Sequence, residues 1–320
     1  MKILIASAID PETIAALEQD HDVMCAFDAT ESELIEVISD REALIFRSGV
    51  QITAAVMAAA PDLELIIRAG SGFDNIDLEY LASRIVRFVR IPGPGAKAVA
   101  ELSFAMMLSL ARRLRWADSE WRAGNWVKRE AGGLLLTGKT LGIVGAGNIG
   151  RRTGRLGAAW GMRVLGCVEH PGDMVATHLA EEGIELASFD EVLDASDFVS
   201  VHVPLKDSTR GLFGAEEFTR MKTGSILVNL SRGGVVDEVA LRQALVSGKL
   251  AAAGLDVHAV EGNGHRSALA DLDNVLLTPH IGASTVDSQR EIGLIMITTV
   301  AKAEVDPPTA LATPDQYVVM

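Results

Sequence analysis

The stretch from Thr140 to Gly154 reads "TLGIVGAGNIGRRTG". A β-type apolar run stops at a glycine, and Gly145, Gly147 and Gly150 then fall in the spacing G-x-G-x-x-G where a helical pattern opens. The first glycine permits a tight turn, the second lets a pyrophosphate approach the backbone, and the third lets the helix pack closely on the strand. The helix N-terminus adds free N–H groups and the positive end of its dipole. The spacing alone is a weak signal; its place between a strand and a helix predicts a dinucleotide-binding βαβ unit. Such a unit requires an acidic residue about 20 positions further on for the adenosine ribose. In "MRVLGCVEHPGD", Glu169 lies 19 residues past Gly150. A carboxylate there would repel the additional phosphate of NADP, so the expected cofactor is NAD.

Working outward, strand-like runs alternate with helical patterns on both sides of this turn. Before it come "ILIAS", "VMCAF", "ALIF", "LELII" and "RIVRFV", then one long helical pattern from about Ala98 to Ala123 that stops at Gly124. After it come "RVLGCV", "IEL", "FVSVHV", "SILVNL", "AAGLDV" and "NVLLT". That rhythm indicates parallel sheets with crossover helices. The fold class is therefore α/β, with two α/β units in tandem, and 320 residues suffice for two domains at roughly 150 each. The closing "DPPTALATPDQYVVM" reads as a surface tail.

Lys plus Arg number 29 and Asp plus Glu 43, a formal charge of −14. That balance argues against nucleic acid or an anionic membrane as partner, so an anionic substrate must be drawn in by a local basic patch. Cys25 and Cys167 form neither a disulfide framework nor metal-ligand spacing, which leads us to expect no metal and a reducing compartment. The run after Met1-Lys2 is short and β-like, and no apolar window reaches the length of a membrane span. A soluble, cytoplasmic protein is expected.

A nicotinamide cofactor transfers hydride, so the protein must supply an acid-base group for the accompanying proton and a cation for an anionic substrate. Segments at the ends of later strands offer both. "ILVNLSRGGVVDEVAL" places Arg232 just past a strand, where a guanidinium could hold a carboxylate through two hydrogen bonds. "GLDVHAVEGNG" offers Asp256 and Glu261, and "NVLLTPHIGAST" offers His280. Ligands of open parallel sheets lie outside the carboxyl ends of the strands, so groups distant in the chain can converge there.

With these segments in hand, the sequence resembles the D-isomer-specific 2-hydroxyacid dehydrogenase family over nearly its whole length. The resemblance rests on "RAGSGFDNIDL" (Arg68 to Leu78), "VAEL", the glycine fingerprint, "VHVPL", "VNLSRGGVVDE", "GLDV" and "TPHIGAST". It implies two Rossmann-like doubly wound domains, the outer one discontinuous: residues 1–98 plus 287–320 for substrate, and 99–286 for NAD. It implies a catalytic set of Arg232, Glu261 and His280. Glu261 would hydrogen-bond the imidazole and stabilise its protonated form, His280 would exchange the proton with the substrate oxygen, and Arg232 would bind the substrate carboxylate. It extends the cofactor contacts from Gly145, Gly147, Gly150 and Glu169 to Asn148, Ile149, Val203, Leu230, Ser231, Arg232, Asp256, His280, Gly282 and Ala283, with Asp256 at the nicotinamide amide. Ser71 and Gly72 would offer backbone N–H groups to the substrate.

Departures are equally specific. Counted without gaps, the family's ribose-binding Asp falls on Val168 rather than Glu169. Gly262 stands where a Pro usually follows the catalytic Glu, which suggests a loosely held Glu261. "FRSGVQIT", "GSGFDNID" and "HIGAST" resemble the phosphoglycerate-acting branch, which implies that Arg47, helped by Lys128, meets a substrate phosphate. Another D-2-hydroxyacid, such as glycerate formed from hydroxypyruvate or glyoxylate reduction to glycolate, is the alternative, and an NAD-sensing corepressor-like binding protein the alternative from another class. Homodimerisation is expected through the helix bearing Leu102, Phe104, Met106, Met107, Leu108, Leu110 and Leu114, whose apolar stripe is wider than one face needs. His202 reads as structural, and His21, His170, His178 and His265 as surface residues.

Overall fold

The computed structural model describes residues 1–305 and 318–319. Along the chain run β1 (Lys2–Ile5), α1 (Pro11–Leu17), β2 (Asp22–Cys25), α2 (Glu31–Val37), β3 (Ala43–Phe46), α3 (Ala54–Ala58), β4 (Leu65–Arg68), α4 (Leu78–Ala82) and β5 (Arg87–Arg90). Helices α5 (Gly93–Ala111) and α6 (Leu114–Arg122) lead to β6 (Thr140–Val144), α7 (Asn148–Ala159), β7 (Arg163–Cys167), α8 (Asp173–Glu181), β8 (Glu185–Leu186), α9 (Phe189–Ala195) and β9 (Phe198–Val201). Then come α10 (Ala215–Arg220), β10 (Ser225–Asn229), α11 (Glu238–Val246), β11 (Leu250–Leu255), β12 (Val275–Leu277), α12 (Val286–Val305) and β13 (Val318–Val319).

The chain divides into two compact units, Met1–Ala96 with Ala283–Met320, and Lys97–Gly282. The first holds a parallel sheet in the order β13-β5-β4-β3-β1-β2, and the second a parallel sheet in the order β12-β11-β10-β9-β6-β7-β8. Both are α/β and doubly wound. In the second the chain leaves β6 in one direction through β7 and β8, then returns to pair β9 on the other side of β6. This reversal makes the carboxyl ends of β6 and β9 the topological switch point, where such sheets bind ligands.

Strands buried on both faces must be apolar throughout, which is why these runs read as continuous rather than alternating. In the first unit the pleat sends Ile3, Ile5, Ala43, Ile45, Leu65 and Ile67 to one face, where α12 covers them with Ile292, Met296 and Val300. It sends Leu4, Leu44, Phe46, Ile66 and Phe88 to the other. In the second unit one face of the sheet packs into a core that includes Val144, Val199, Val201, Leu227 and Leu255, and the alternate strand residues, such as Ile143, Ile226 and Val228, are buried as well. Several helix starts are capped by side chains: Asp10 accepts from Thr13 N–H at 3.0 Å, and Thr30 with Glu33 and Ser188 with Glu191 form reciprocal capping boxes.

Two expectations change. The single helix from Ala98 to Ala123 is two helices: α5 begins five residues earlier, at Gly93, and the chain breaks at Arg113, whose φ is 51°. The cause is tertiary. Leu134 N–H takes the Ala111 carbonyl at 2.8 Å, and a Cβ at Gly133 would lie 2.5 Å from that same oxygen, so a returning segment caps α5 where a longer helix would have continued. The tail is also revised in part. Val318 and Val319 pair in parallel with Val89 and Arg90, adding a strand to the first sheet, while the rest of that stretch lies outside the described residues. Parallel pairing to an edge strand needs only main-chain groups, so the weak side-chain pattern gave no sign of it.

Candidate active site

The glycine turn sits at the carboxyl end of β6. Gly145 has φ 93°, and a Cβ there would lie 2.7 Å from the His202 carbonyl oxygen, so only glycine fits. A Cβ at Gly150 would lie 2.2 Å from the Gly145 carbonyl oxygen, which is the close helix-strand approach read from the sequence. Over Gly147 there is open space within 4 Å, and no side chain caps the start of α7. Open room above an uncapped N-terminus, where Asn148 and Ile149 begin the helix, suits the pyrophosphate of a dinucleotide.

Glu169 lies two residues beyond β7 and is exposed, with Oε2 2.9 Å from Lys206 Nζ. The hydrogen bond from Lys206, then its charge, hold the Glu169 carboxyl below the ordinary range. Lys206 was not singled out in the sequence. Val203 packs half-buried on the core of this unit, beside Gly145. The neighbouring His202 is structural: its Nε2 lies 2.8 Å from Ser200 Oγ, and burial pushes its pKa down to about 3.

The turn after β10 is shaped by Asn229, another residue the sequence reading passed over. Its buried Oδ1 accepts from Ser231 N–H at 3.0 Å and Ser231 Oγ at 2.7 Å, and its Nδ2 donates to the Arg232 carbonyl at 3.2 Å. The half-buried Arg232 donates from Nη1 to the Ser231 carbonyl at 2.8 Å, and Leu230 is buried beneath the turn. Gly233 lies directly against the His258 carbonyl: a Cβ would be 1.8 Å from that oxygen. The Arg232 turn and the loop after β11 are thereby fixed to one another.

Asp256 follows β11 and is 1% exposed. A carboxylate that deep needs several donors. Oδ1 accepts from Thr278 Oγ1 at 2.5 Å and Ile281 N–H at 2.9 Å, Oδ2 accepts from Gly282 N–H at 2.8 Å, and its carbonyl accepts from His280 N–H at 2.7 Å. Asp256 thus organises the segment that presents His280, a function in addition to the nicotinamide contact implied for it. His280 itself has φ 54°, a left-handed conformation uncommon for a side chain with a Cβ.

His280 Nδ1 lies 2.8 Å from Glu261 Oε2. Glu261 Oε1 accepts from His258 N–H at 3.1 Å, and His258 Nε2 lies 2.9 Å from the Thr278 carbonyl. Burial raises the Glu261 pKa, but the His280 hydrogen bond and charge and the His258 N–H outweigh it, leaving the carboxyl below its ordinary value. The carboxylate is therefore held from two sides, and the looseness expected from Gly262 is not found at this position. A carboxylate on Nδ1 leaves Nε2 as the imidazole nitrogen available to a substrate.

The structure thus brings the glycine turn, Glu169, Val203, Leu230, Ser231, Arg232, Asp256, Glu261, His280 and Gly282 into one unit. Arg47, Ser71, Gly72 and Ala283 belong to the other. There Arg47 N–H donates to Ser7 Oγ at 2.9 Å, and burial lowers the pKa of its guanidinium. The Ser71 carbonyl accepts from Arg90 Nη1 at 3.2 Å, and the Arg90 guanidinium lies 4.9 Å from the Phe73 ring centre. Lys128 is exposed in the segment between α6 and β6. Phe104, Met106 and Met107 are buried in the chain itself, so part of the α5 stripe needs no partner. His21 is not a plain surface residue: its Nδ1 lies 3.2 Å from the Met1 amine and 3.4 Å from Glu304. Among the described residues no helix is long and apolar enough to cross a membrane, and no cluster of His, Cys, Asp or Glu could hold a metal ion.

Comparison with known proteins agrees with this geometry. The hydroxypyruvate reductase of Thermotoga maritima is 40% identical over 272 residues, 84% of this chain and 87% of its own length. The D-3-phosphoglycerate dehydrogenase of Methanocaldococcus jannaschii is 38% identical over 94% of this chain, which spans only 57% of that relative. The crystal structure of a D-lactate dehydrogenase from Aquifex aeolicus, complexed with NAD and lactic acid, superposes with a TM-score of 0.84 at 31% identity, covering 95% of each chain. The model of the D-isomer specific 2-hydroxyacid dehydrogenase NAD-binding domain matches residues 104–282, the stretch that carries the glycine turn, Arg232, Glu261 and His280. On sequence and on fold, the chain belongs to the D-isomer specific 2-hydroxyacid dehydrogenase family.

Proposed function

We propose that the protein is an NAD-dependent oxidoreductase that interconverts a small D-2-hydroxy acid and its 2-keto acid, with Arg232, Glu261 and His280 as the catalytic set. The observation that carries this reading is the 2.8 Å contact between His280 Nδ1 and Glu261 Oε2, on the same unit as the glycine turn. Bound NADH supplies the hydride. His280, protonated and steadied by the Glu261 carboxylate, gives its Nε2 proton to the keto oxygen, and in the reverse direction takes the hydroxyl proton back. Arg232 holds the substrate carboxylate and favours the negative charge that develops on the carbonyl oxygen. Ser71 and Gly72 offer backbone N–H groups to the same carboxylate. Asp256 keeps His280 in its left-handed conformation through the bonds to Thr278, Ile281 and Gly282.

A panel of phosphohydroxypyruvate, hydroxypyruvate, glyoxylate and pyruvate, followed by NADH absorbance, tests the reading. Oxidation of NADH with at least one keto acid is expected. Tight NADH binding without turnover on any of them would replace the enzyme with a cofactor-sensing binding protein. A reducing, cytoplasmic setting belongs to the same reading, since Cys25 and Cys167 are both free.

Glu261 also sets an expected pH response. Its folded pKa lies below the unfolded value, so its contact with His280 is present above the unfolded carboxylate range and is lost as pH falls through the folded value. At neutral pH it is a carboxylate beside the imidazole. Glu261→Gln removes that charge, the imidazolium loses its proton more readily, and the fall of keto-acid reduction with rising pH moves to lower pH. A pH profile of kcat unchanged from wild type would show that the carboxylate does not act on His280.

Substrate choice belongs to the proposal as well. We assign Arg47 and Lys128 to a substrate phosphate and favour D-3-phosphoglycerate, with hydroxypyruvate reduction as the second candidate. The reading includes a C2 homodimer. It is supported by the apolar surface left on one run of the second unit, where Leu114, Trp121, Trp126 and Leu135 are exposed, the last two by 73% and 71%. Lys128→Ala is expected to raise KM for phosphohydroxypyruvate several-fold, leave KM for hydroxypyruvate nearly unchanged and keep the dimer in light scattering. Equal effects on both substrates would remove the phosphate role, and a monomer at micromolar concentration the assembly.

A further inference from the structure

Glu169 and Lys206 come from different strand ends. Glu169 follows β7 and Lys206 follows β9, and β6 with its glycine turn lies between them in the sheet. Strands that flank a third are about 10 Å apart. The 2.9 Å contact between Glu169 Oε2 and Lys206 Nζ therefore reaches across the end of β6, over the place where an adenosine would lie. The Lys206 backbone is fixed: its N–H donates to Thr209 Oγ1 at 2.8 Å, and its carbonyl accepts from Arg210 N–H at 2.9 Å. The ammonium end is free to move, because the two side chains remain 49% and 56% exposed.

An isolated carboxylate at the ribose position excludes NADP by repelling its 2′-phosphate. Here the repulsion is already offset. The pair is an exposed ion pair, a weak kind that exchanges readily. A doubly charged phosphate is a stronger acceptor for an ammonium than one carboxylate oxygen.

We propose that Lys206 sets cofactor choice: it leaves Glu169 to bind the 2′-phosphate of NADP and returns to Glu169 when the ribose is unsubstituted, so that the site accepts both cofactors. This rests on the reading of Glu169 as the residue at the adenosine ribose. The pairing has no counterpart in the sequence pattern, since 36 residues separate the partners from one another along the chain and the glycine fingerprint calls for Glu169 but not for Lys206.

Calorimetric titration of the full chain with ADP and with 2′,5′-ADP tests the proposal without turnover. Wild-type protein is expected to bind the two fragments with affinities within about tenfold of each other. Lys206→Met should weaken 2′,5′-ADP by about tenfold, the scale of one lost charge-assisted hydrogen bond, and change ADP by less than about twofold. Glu169→Gln should strengthen 2′,5′-ADP several-fold. If ADP binds but Lys206→Met leaves the ratio of the two affinities unchanged, the role of Lys206 is overturned while the ribose reading stands. If neither fragment binds the wild-type chain, the ribose reading falls and the proposal with it.

Discussion

His280→Asn is expected to lower kcat by about a hundredfold or more while NADH still binds, the loss typical when a general acid-base group is removed. The substitution is chosen for the backbone. His280 has φ 54°, and Asn is among the side chains that tolerate this region, so the bonds from Thr278, Ile281 and Gly282 to Asp256 should survive. The asparagine amide can still meet Glu261, but it cannot exchange a proton near neutral pH. The effect should therefore appear in kcat, read from NADH absorbance, with little change in the NADH dissociation constant read from fluorescence. Turnover near the wild-type rate would take His280 out of the mechanism. A branched replacement such as Val would be a poorer test, because it would strain the loop and mix two causes.

Gly233→Ala should be the most damaging of the small substitutions. The new Cβ would stand 1.8 Å from the His258 carbonyl oxygen and 2.4 Å from its carbon, so backbone must move on one side or the other. Neither side is free. Asn229 pins the Arg232 turn, and Glu261 and Thr278 pin His258. A forced shift of packed backbone costs about 2–3 kcal/mol, a drop in melting midpoint of several degrees for a unit of this size. Activity should fall further than stability, because Arg232 and Glu261 flank the collision. Gly132→Ala is the control, since a Cβ there meets nothing within 4 Å. A Gly233→Ala protein with wild-type midpoint and kcat would show that the two loops do not depend on one another.

The sheets were legible in the sequence because parallel strands covered on both sides have to be apolar without interruption, as "ALIF" is in β3 and Leu65 to Ile67 are in β4. The glycine turn was legible because Gly145 and Gly150 answer steric demands that another residue would violate, while Gly147 leaves the room above the helix start open. The split of the long helical pattern was not. Residues 98–123 have uniform helical character, and the break at Arg113 arises from the hydrogen bond that Leu134, over twenty residues later, makes to Ala111. The proposed catalytic set and Asp256 came through the resemblance to a family, whereas Asn229 and the bonds that Asn229 and Asp256 make did not. Asn229 and Asp256 are polar side chains buried at strand ends, and what they bond to depends on loops whose return path no local pattern encodes. Lys206 has the same history: in sequence it is a charge in a turn, and only the order β9-β6-β7 places it opposite Glu169.

The division of the chain also bears on how the molecule is made. Residues 97–282 form one unit from a continuous stretch, whereas the other is assembled from residues 1–96 and the segment that starts at Ala283. Its missing piece is substantial: α12 covers one face of the sheet with Ile292, Met296 and Val300, and Gly293 sits so tightly on Thr13 that a Cβ would lie 1.9 Å from the hydroxyl. On a ribosome the early strands therefore wait, with Ile3, Ile5, Ile45 and Ile67 covered on that face only in part, by Ile9, Ile14 and Leu17 at and beside α1, while the inserted unit is translated and can close on its own. The interval is on the order of ten seconds or more at ordinary rates of synthesis. During it, the first third of the chain keeps an apolar sheet face that lacks the α12 side chains, the kind of nascent surface on which a chaperone acts.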